Sequence, residues 1–110
     1  MYKTYEVILT PQAQKNLRNI FYYIHYVLKA NIAAENVLNS LEGAIDGLSL
    51  FPARHSAVET EPFKSKGLRK MAVKNYLVYF KIYEPLRVVR VVAVVYAKSN
   101  QFENLKELNL

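Results

Sequence analysis

The stretch Gly67-Leu-Arg-Lys-Met-Ala-Val-Lys-Asn-Tyr-Leu-Val-Tyr-Phe-Lys-Ile-Tyr83, followed after four residues by Val88-Val-Arg-Val-Val-Ala-Val-Val-Tyr96, decides the fold. It is rich in Val, Tyr and Phe, the residues that suit a pleated, half-buried surface. Lys74-Asn75 and Glu84-Pro-Leu-Arg87 break it at spacings that fit tight connections. The pattern predicts strands over residues 68–73, 76–83 and 88–96, joined as an antiparallel meander. Side chains alternate across a strand, so Val78, Phe80 and Ile82 are expected on one face and Tyr79, Lys81 and Tyr83 on the other. By the same alternation Val89, Val91, Ala93 and Val95 separate from Arg90, Val92, Val94 and Tyr96, which puts Tyr79, Lys81, Tyr83, Arg90 and Tyr96 on the face away from the core. A shift of one residue would exchange the faces.

Upstream, Tyr5-Glu-Val-Ile-Leu9 reads as a short strand ended by Thr10-Pro11, a helix cap followed by proline at the first helical position. Ala13, Leu17, Ile20, Phe21, Ile24, Val27 and Leu28 then recur at helical spacing, and a second stripe of Ala34, Val37, Leu38, Leu41, Ile45 and Leu48 follows Asn31. Phe51-Pro52 stops it. Two amphipathic helices joined by a few residues form an antiparallel hairpin. Gly43 and Gly47, four apart in the second helix, either admit a close neighbour or are tolerated at a cost. Residues 52–67 read as a loop, and residues 99–110 as a polar tail or short helix.

The order β-α-α-β-β-β implies an α+β fold, with the helical hairpin packed on one face of a twisted antiparallel sheet and the other face partly open. A chain of 110 residues with 52% hydrophobic content suits one domain spanning 1–110. Its opening, Met1-Tyr-Lys-Thr-Tyr-Glu6, lacks the order of a signal peptide, and no apolar run spans a bilayer, so a cytoplasmic protein without membrane contact is expected.

Charge is distributed unevenly. Residues 63–98 hold nine basic residues against the single acid Glu84, a net of +8, whereas the whole chain carries +6 and the remainder therefore −2. A basic face directed at an anionic partner follows, with Lys64, Lys66, Arg69, Lys70, Lys74, Lys81 and Arg90 as its candidate contacts to nucleic acid or another target. Tyr79 and Tyr83 are placed among them as candidate protein-partner contacts.

The absence of Cys excludes disulfides and thiolate chemistry. His25 and His55 stand alone, without metal-ligand spacing, and neither a G-x-S-x-G nor a phosphate-cradling glycine loop occurs. No metal or cofactor is expected. Metal-free RNA cleavage needs a base, an acid and cations around the phosphate. Cations are plentiful here, but an acid–base pair is not evident.

Glu61-Pro-Phe-Lys-Ser-Lys-Gly-Leu-Arg69, Asn75-Tyr-Leu-Val-Tyr-Phe80 and the Val-rich last strand, together with Leu9-Thr-Pro-Gln-Ala13 before a long helix, resemble toxins of the RelE/ParE superfamily of type II toxin–antitoxin modules. The resemblance covers nearly the whole chain. It implies a growth-arresting toxin neutralised by a cognate antitoxin, with either DNA gyrase (ParE-like) or mRNA on the ribosome (RelE-like) as target. A RelE-like nuclease would use Arg69, Tyr96 and Lys98. The rest of that branch's pattern is thin: Met71 and Leu77 stand where basic residues are common, Tyr96-Ala-Lys-Ser-Asn100 replaces an arginine-rich ending, and Phe102 replaces a tyrosine. The resemblance therefore leans to ParE, with a RelE-like endonuclease and an inactive homologue that only binds antitoxin as alternatives.

Overall fold

The computed structural model describes residues 4–110, so the reading of Met1 to Lys3 lies outside the described residues. Strand β1 (Glu6–Leu9) leads into helix α1 (Pro11–Tyr22), which continues as a π-helical turn over Tyr23–Val27. Thr10 caps α1 by accepting the backbone N–H of Ala13 at 3.1 Å, and Pro11 takes the position whose N–H has no helical partner. The chain reverses at Lys29, which has φ 53°, and enters α2 (Asn31–Asp46). The helical hairpin is thus as the sequence indicates, except that the first helix ends in the wider π-turn.

Residues 69–73, 76–83 and 88–96 form strands β3, β4 and β5, the expected antiparallel meander. Two features complete the sheet. The 52–67 segment contributes the short strand β2 (Ser56–Ala57) against β3, and β1 lies parallel to β5, with Glu6 opposite Val88 and Leu9 opposite Val91. The order is β1-β5-β4-β3-β2 and the sheet is mixed rather than wholly antiparallel. The helices between β1 and the meander supply the long crossover that a parallel neighbour requires.

A bulge fixes which residues face the helices. Tyr79 pairs with Ala93 but Phe80 pairs with Val91, leaving Val92 as the extra residue of β5. Below the bulge Val89 and Val91 join Phe80 in the core under the helices, and above it Val94 takes that role beside Val78. Ala13, Leu41, Ile45 and Leu48 close this core from the helical side. Burial of each large side chain here contributes about 1.5–3 kcal/mol.

The opposite face has its own cover. Helix α3 (Gln101–Lys106), capped by Asn100 on the N–H of Glu103, lays Leu105 over Tyr79, Val92 and Ala93. Val58, Phe63 and Leu68 from the preceding segment complete a second small core. Residues 101–106 are therefore a packed helix, and among the described residues of this face Lys70 and Ala72 stay exposed and Lys81, Tyr83 and Arg90, nearer the β4–β5 turn, half-exposed.

Candidate target- and antitoxin-binding surfaces

The open part of the back face carries basic charge at close spacing. Lys81 and Arg90 are register partners on neighbouring strands, and both are half-buried. Cross-strand partners have Cβ atoms about 5 Å apart, where like charges repel. The Lys81 ammonium also lies 5.4 Å from the centre of the Tyr83 ring, an arrangement that holds the cation at the surface. Lys70, opposite Tyr79, is exposed on the same side. Lys64 and Lys66 are exposed on the turn that Phe63 anchors to this face. Five of the seven sequence-designated basic residues thus gather around one face, an arrangement suited to an anionic partner.

Arg69 and Lys74 lie elsewhere. Arg69 pairs with Phe80 and so shares the helix-facing side of the sheet. Its Nη1 donates to the backbone carbonyls of His55 at 2.7 Å and Ala53 at 3.3 Å, fastening the 52–55 turn to β3. Lys74, at φ 52°, sits in the β3–β4 turn and lines a cleft of about 760 Å³ between that turn and the tip of the helical hairpin.

Tyr79 departs from expectation. It points away from the helices, as alternation requires, but it is only 2% exposed because α3 covers it, and its hydroxyl donates to Oε1 of Gln101 at 2.8 Å. It offers no surface to a partner. Tyr83 remains half-exposed beside Lys81.

Tyr96 is also on the other side from its expected place. The extra residue Val92 inverts the alternation, so Tyr96 pairs with Tyr76 and lines the helix-side cleft, its ring edge-on to Tyr76 at 6.0 Å. Burial, and then the neighbouring phenols of Tyr96 and Tyr23, push the Tyr76 hydroxyl above its ordinary pKa, which makes it a poorer base. Lys98 is exposed in the turn after β5.

The three residues a nuclease would use do not converge. Arg69 lies opposite Phe80 and Tyr96 opposite Tyr76, four residues apart on β4 and so separated by about 13 Å along the strand. The Arg69 guanidinium is occupied by carbonyls on the 52–55 turn.

At the helix-hairpin tip the apolar stripe leaves the core: Val27 and Leu28, expected on the buried face, are exposed. Tyr22, Tyr23, Tyr26, Val27, Leu28 and Ile32 are all more than half exposed there. The rings of Tyr22 and Tyr26 stack at 5.3 Å, and those of Phe21 and His25 at 5.2 Å. The run Tyr22-Tyr23-Ile24-His25-Tyr26 was the available signal, since aromatics continue around the helix instead of ending at the stripe. Among the described residues no group of three or more His, Asp or Glu could hold a metal ion, and no helix is long and apolar enough to cross a membrane.

The sequence profile of the ParE toxin of the parDE type II toxin–antitoxin system matches residues 7–100. The chain belongs to the ParE toxin family. Solved structures with the same fold include the chromosomal ParDE system of P. aeruginosa, at 14% identity and TM-score 0.69, covering 88% of this chain and 100% of that one. The RelBE2 toxin–antitoxin complex of Mycobacterium tuberculosis is similar at 17% identity and TM-score 0.65, covering 84% and 98%. Free E. coli RelE with arginine-to-alanine substitutions is similar at 14% identity and TM-score 0.60, covering 92% of each chain. No curated protein sequence matches. This ParE-family chain is thus a toxin of a type II toxin–antitoxin module.

Proposed function

We propose that this toxin arrests growth by binding and inhibiting DNA gyrase, not by cutting RNA. The observation that carries the reading is the separation of Arg69 from Tyr96, with the Arg69 guanidinium committed to the carbonyls of Ala53 and His55. Phosphodiester cleavage needs base, acid and phosphate-holding groups around one phosphorus atom, and these residues lie opposite positions four residues apart on β4. Membership of a family named for parDE agrees with a ParE-like mode. In this reading Lys64, Lys66, Lys70, Lys81 and Arg90 steer the toxin to an anionic surface, and Tyr83 adds an aromatic contact. The antitoxin neutralises it by laying an acidic segment on the same face, excluding the target by occupancy.

Supercoiling of relaxed plasmid by purified gyrase, measured with and without the toxin, tests the reading. Loss of supercoiling, restored by antitoxin, is the expected result, with transcripts in a translating extract left intact. Full supercoiling at saturating toxin, or transcripts cut on the ribosome, would overturn it.

A further inference from the structure

The tip of the helical hairpin leaves a large apolar surface in water. Tyr22, Tyr23, Tyr26, Val27, Leu28 and Ile32 are each between 54% and 77% exposed. At about 150–250 Å² for a full-sized side chain they present roughly 700 Å², which exceeds the largest patch of a typical monomer, about 300–600 Å². The π-helical turn over Tyr23–Val27 lies beneath this surface. Its wider winding takes the chain out of the α-helical phase, so Val27 and Leu28 leave the buried stripe, and π turns concentrate at functional sites. The Tyr22 and Tyr26 rings stack on each other at 5.3 Å, so part of the surface is ordered in advance.

Two opposite charges bracket the patch along the chain. Lys29, at φ 53°, precedes Ile32 by three residues, and Glu35 follows it by three on α2. Both are exposed, and among the described residues neither makes an ion pair. A surface that is positive at one end and negative at the other complements itself under a two-fold rotation. With Ile32 near the axis, each Lys29 comes opposite the Glu35 of the other copy. An acidic partner would gain at Lys29 and be repelled at Glu35, so it is served better by the basic back face.

We propose that the free toxin pairs with a second copy of itself through the hairpin tip, as a two-fold dimer that covers the six apolar side chains and sets Lys29 against Glu35 across the axis. The available area falls at the low end of a standard interface, about 600–1,000 Å² from each partner, which suits a dissociation constant of about micromolar order. The dimer does not rest on the gyrase reading. Lys81 and Arg90 lie on the sheet face away from the helices, so each protomer keeps its basic face and the pair carries two of them.

Sedimentation velocity of the full-length toxin from about 1 to 200 μM tests the proposal. The weight-average mass should rise from the 12.7 kDa of one chain to twice that. Ile32→Asp puts an acid in the first turn of α2, where the helix favours it, so the variant should stay folded by circular dichroism. It buries an unpaired charge only in the dimer and should weaken pairing at least about tenfold. Lys29→Glu and Glu35→Lys should each weaken pairing, and the double variant Lys29→Glu/Glu35→Lys should restore it to near wild type, which non-specific apolar association would not do. A toxin that stays monomeric throughout, a folded Ile32→Asp protein that pairs as tightly as wild type, or a double variant no better than the single ones would overturn the proposal. So would a monomeric wild type whose antitoxin affinity falls on Ile32→Asp, a result that assigns the patch to the antitoxin.

Discussion

The Tyr79 hydroxyl donates to Oε1 of Gln101 at 2.8 Å, tying the centre of β4 to the first residue of α3. The ring is buried between Leu105 and the sheet, and burial pushes the phenol above its ordinary pKa. Tyr79→Phe keeps the packing and leaves the Gln101 oxygen free to turn to solvent, so a stability loss of about 1 kcal/mol is expected in urea unfolding. Tyr79→Ala also leaves a cavity and should cost about 3–5 kcal/mol.

That bond also marks where the sequence was legible and where it was not. The helical hairpin and the meander follow from local signals: Thr10-Pro11 at a helix start, apolar residues at helical spacing, and Val- and Tyr-rich strands between turn residues. The family resemblance drawn from the same residues is confirmed by the ParE profile. Faces were harder to read, because Val92 is one of five consecutive apolar residues, Val91 to Val95, on β5 and nothing local marks it as the bulged one. One extra residue moves Tyr96 to the helix side. Tyr79 was misplaced for a different reason: its face was read correctly, but its cover comes from residues 101–106, whose scattered Leu and polar residues do not announce a docking helix. Arg69 illustrates the limit for the site, since its partners are backbone carbonyls 14 and 16 residues away and carbonyls have no sequence signature.

Arg69 is expected to act on stability. Arg69→Ala removes both bonds to the 52–55 turn and leaves two carbonyls short of a donor, for a loss of about 2–3 kcal/mol by chemical denaturation. Arg69→Lys should recover only part of it, since one ammonium cannot reproduce the fork. If the folded Arg69→Ala protein still arrests growth when expressed, its role is structural.

His55 gives the fold a pH dependence of defined sign. Burial, reinforced by the charge of Arg54, holds its pKa below the ordinary histidine value, and Nε2 is buried without a partner among the described residues. The unfolded chain therefore binds a proton more readily than the folded one. His55's contribution is complete above pH 6.5 and is lost as pH falls through the lowered folded value. Comparison of wild type with His55→Gln in urea from pH 7.5 to 5 should show a smaller decline in the variant. An equal decline would place the titration elsewhere.

Gly43 is not a point of close helix approach. A Cβ built on it meets nothing within 4 Å, and the residue is exposed near the end of α2 with helical neighbours on both sides. Glycine there costs conformational entropy without a packing return. Gly43→Ala should raise stability by about 0.5–1 kcal/mol, read as an increase in thermal midpoint, with no change in antitoxin affinity.

Lys81 and Arg90 face each other across β4 and β5, and like charges in register destabilise a sheet by a few tenths of a kcal/mol to about 1 kcal/mol. Lys81→Glu turns the repulsion into attraction, so the isolated toxin should become slightly more stable. If this pair serves an anionic partner, binding must move the opposite way. The affinity of Lys81→Glu for the antitoxin should fall at least about tenfold, chiefly through slower association, and the deficit should shrink as salt rises from 50 to 500 mM. A neutral Lys81→Gln should fall between wild type and Lys81→Glu in both measurements. A gain in fold stability coupled to a salt-dependent loss of affinity separates a binding role from a packing role, because a packing defect would lower both. Unchanged antitoxin affinity in a stabilised Lys81→Glu toxin would remove this face from the interface.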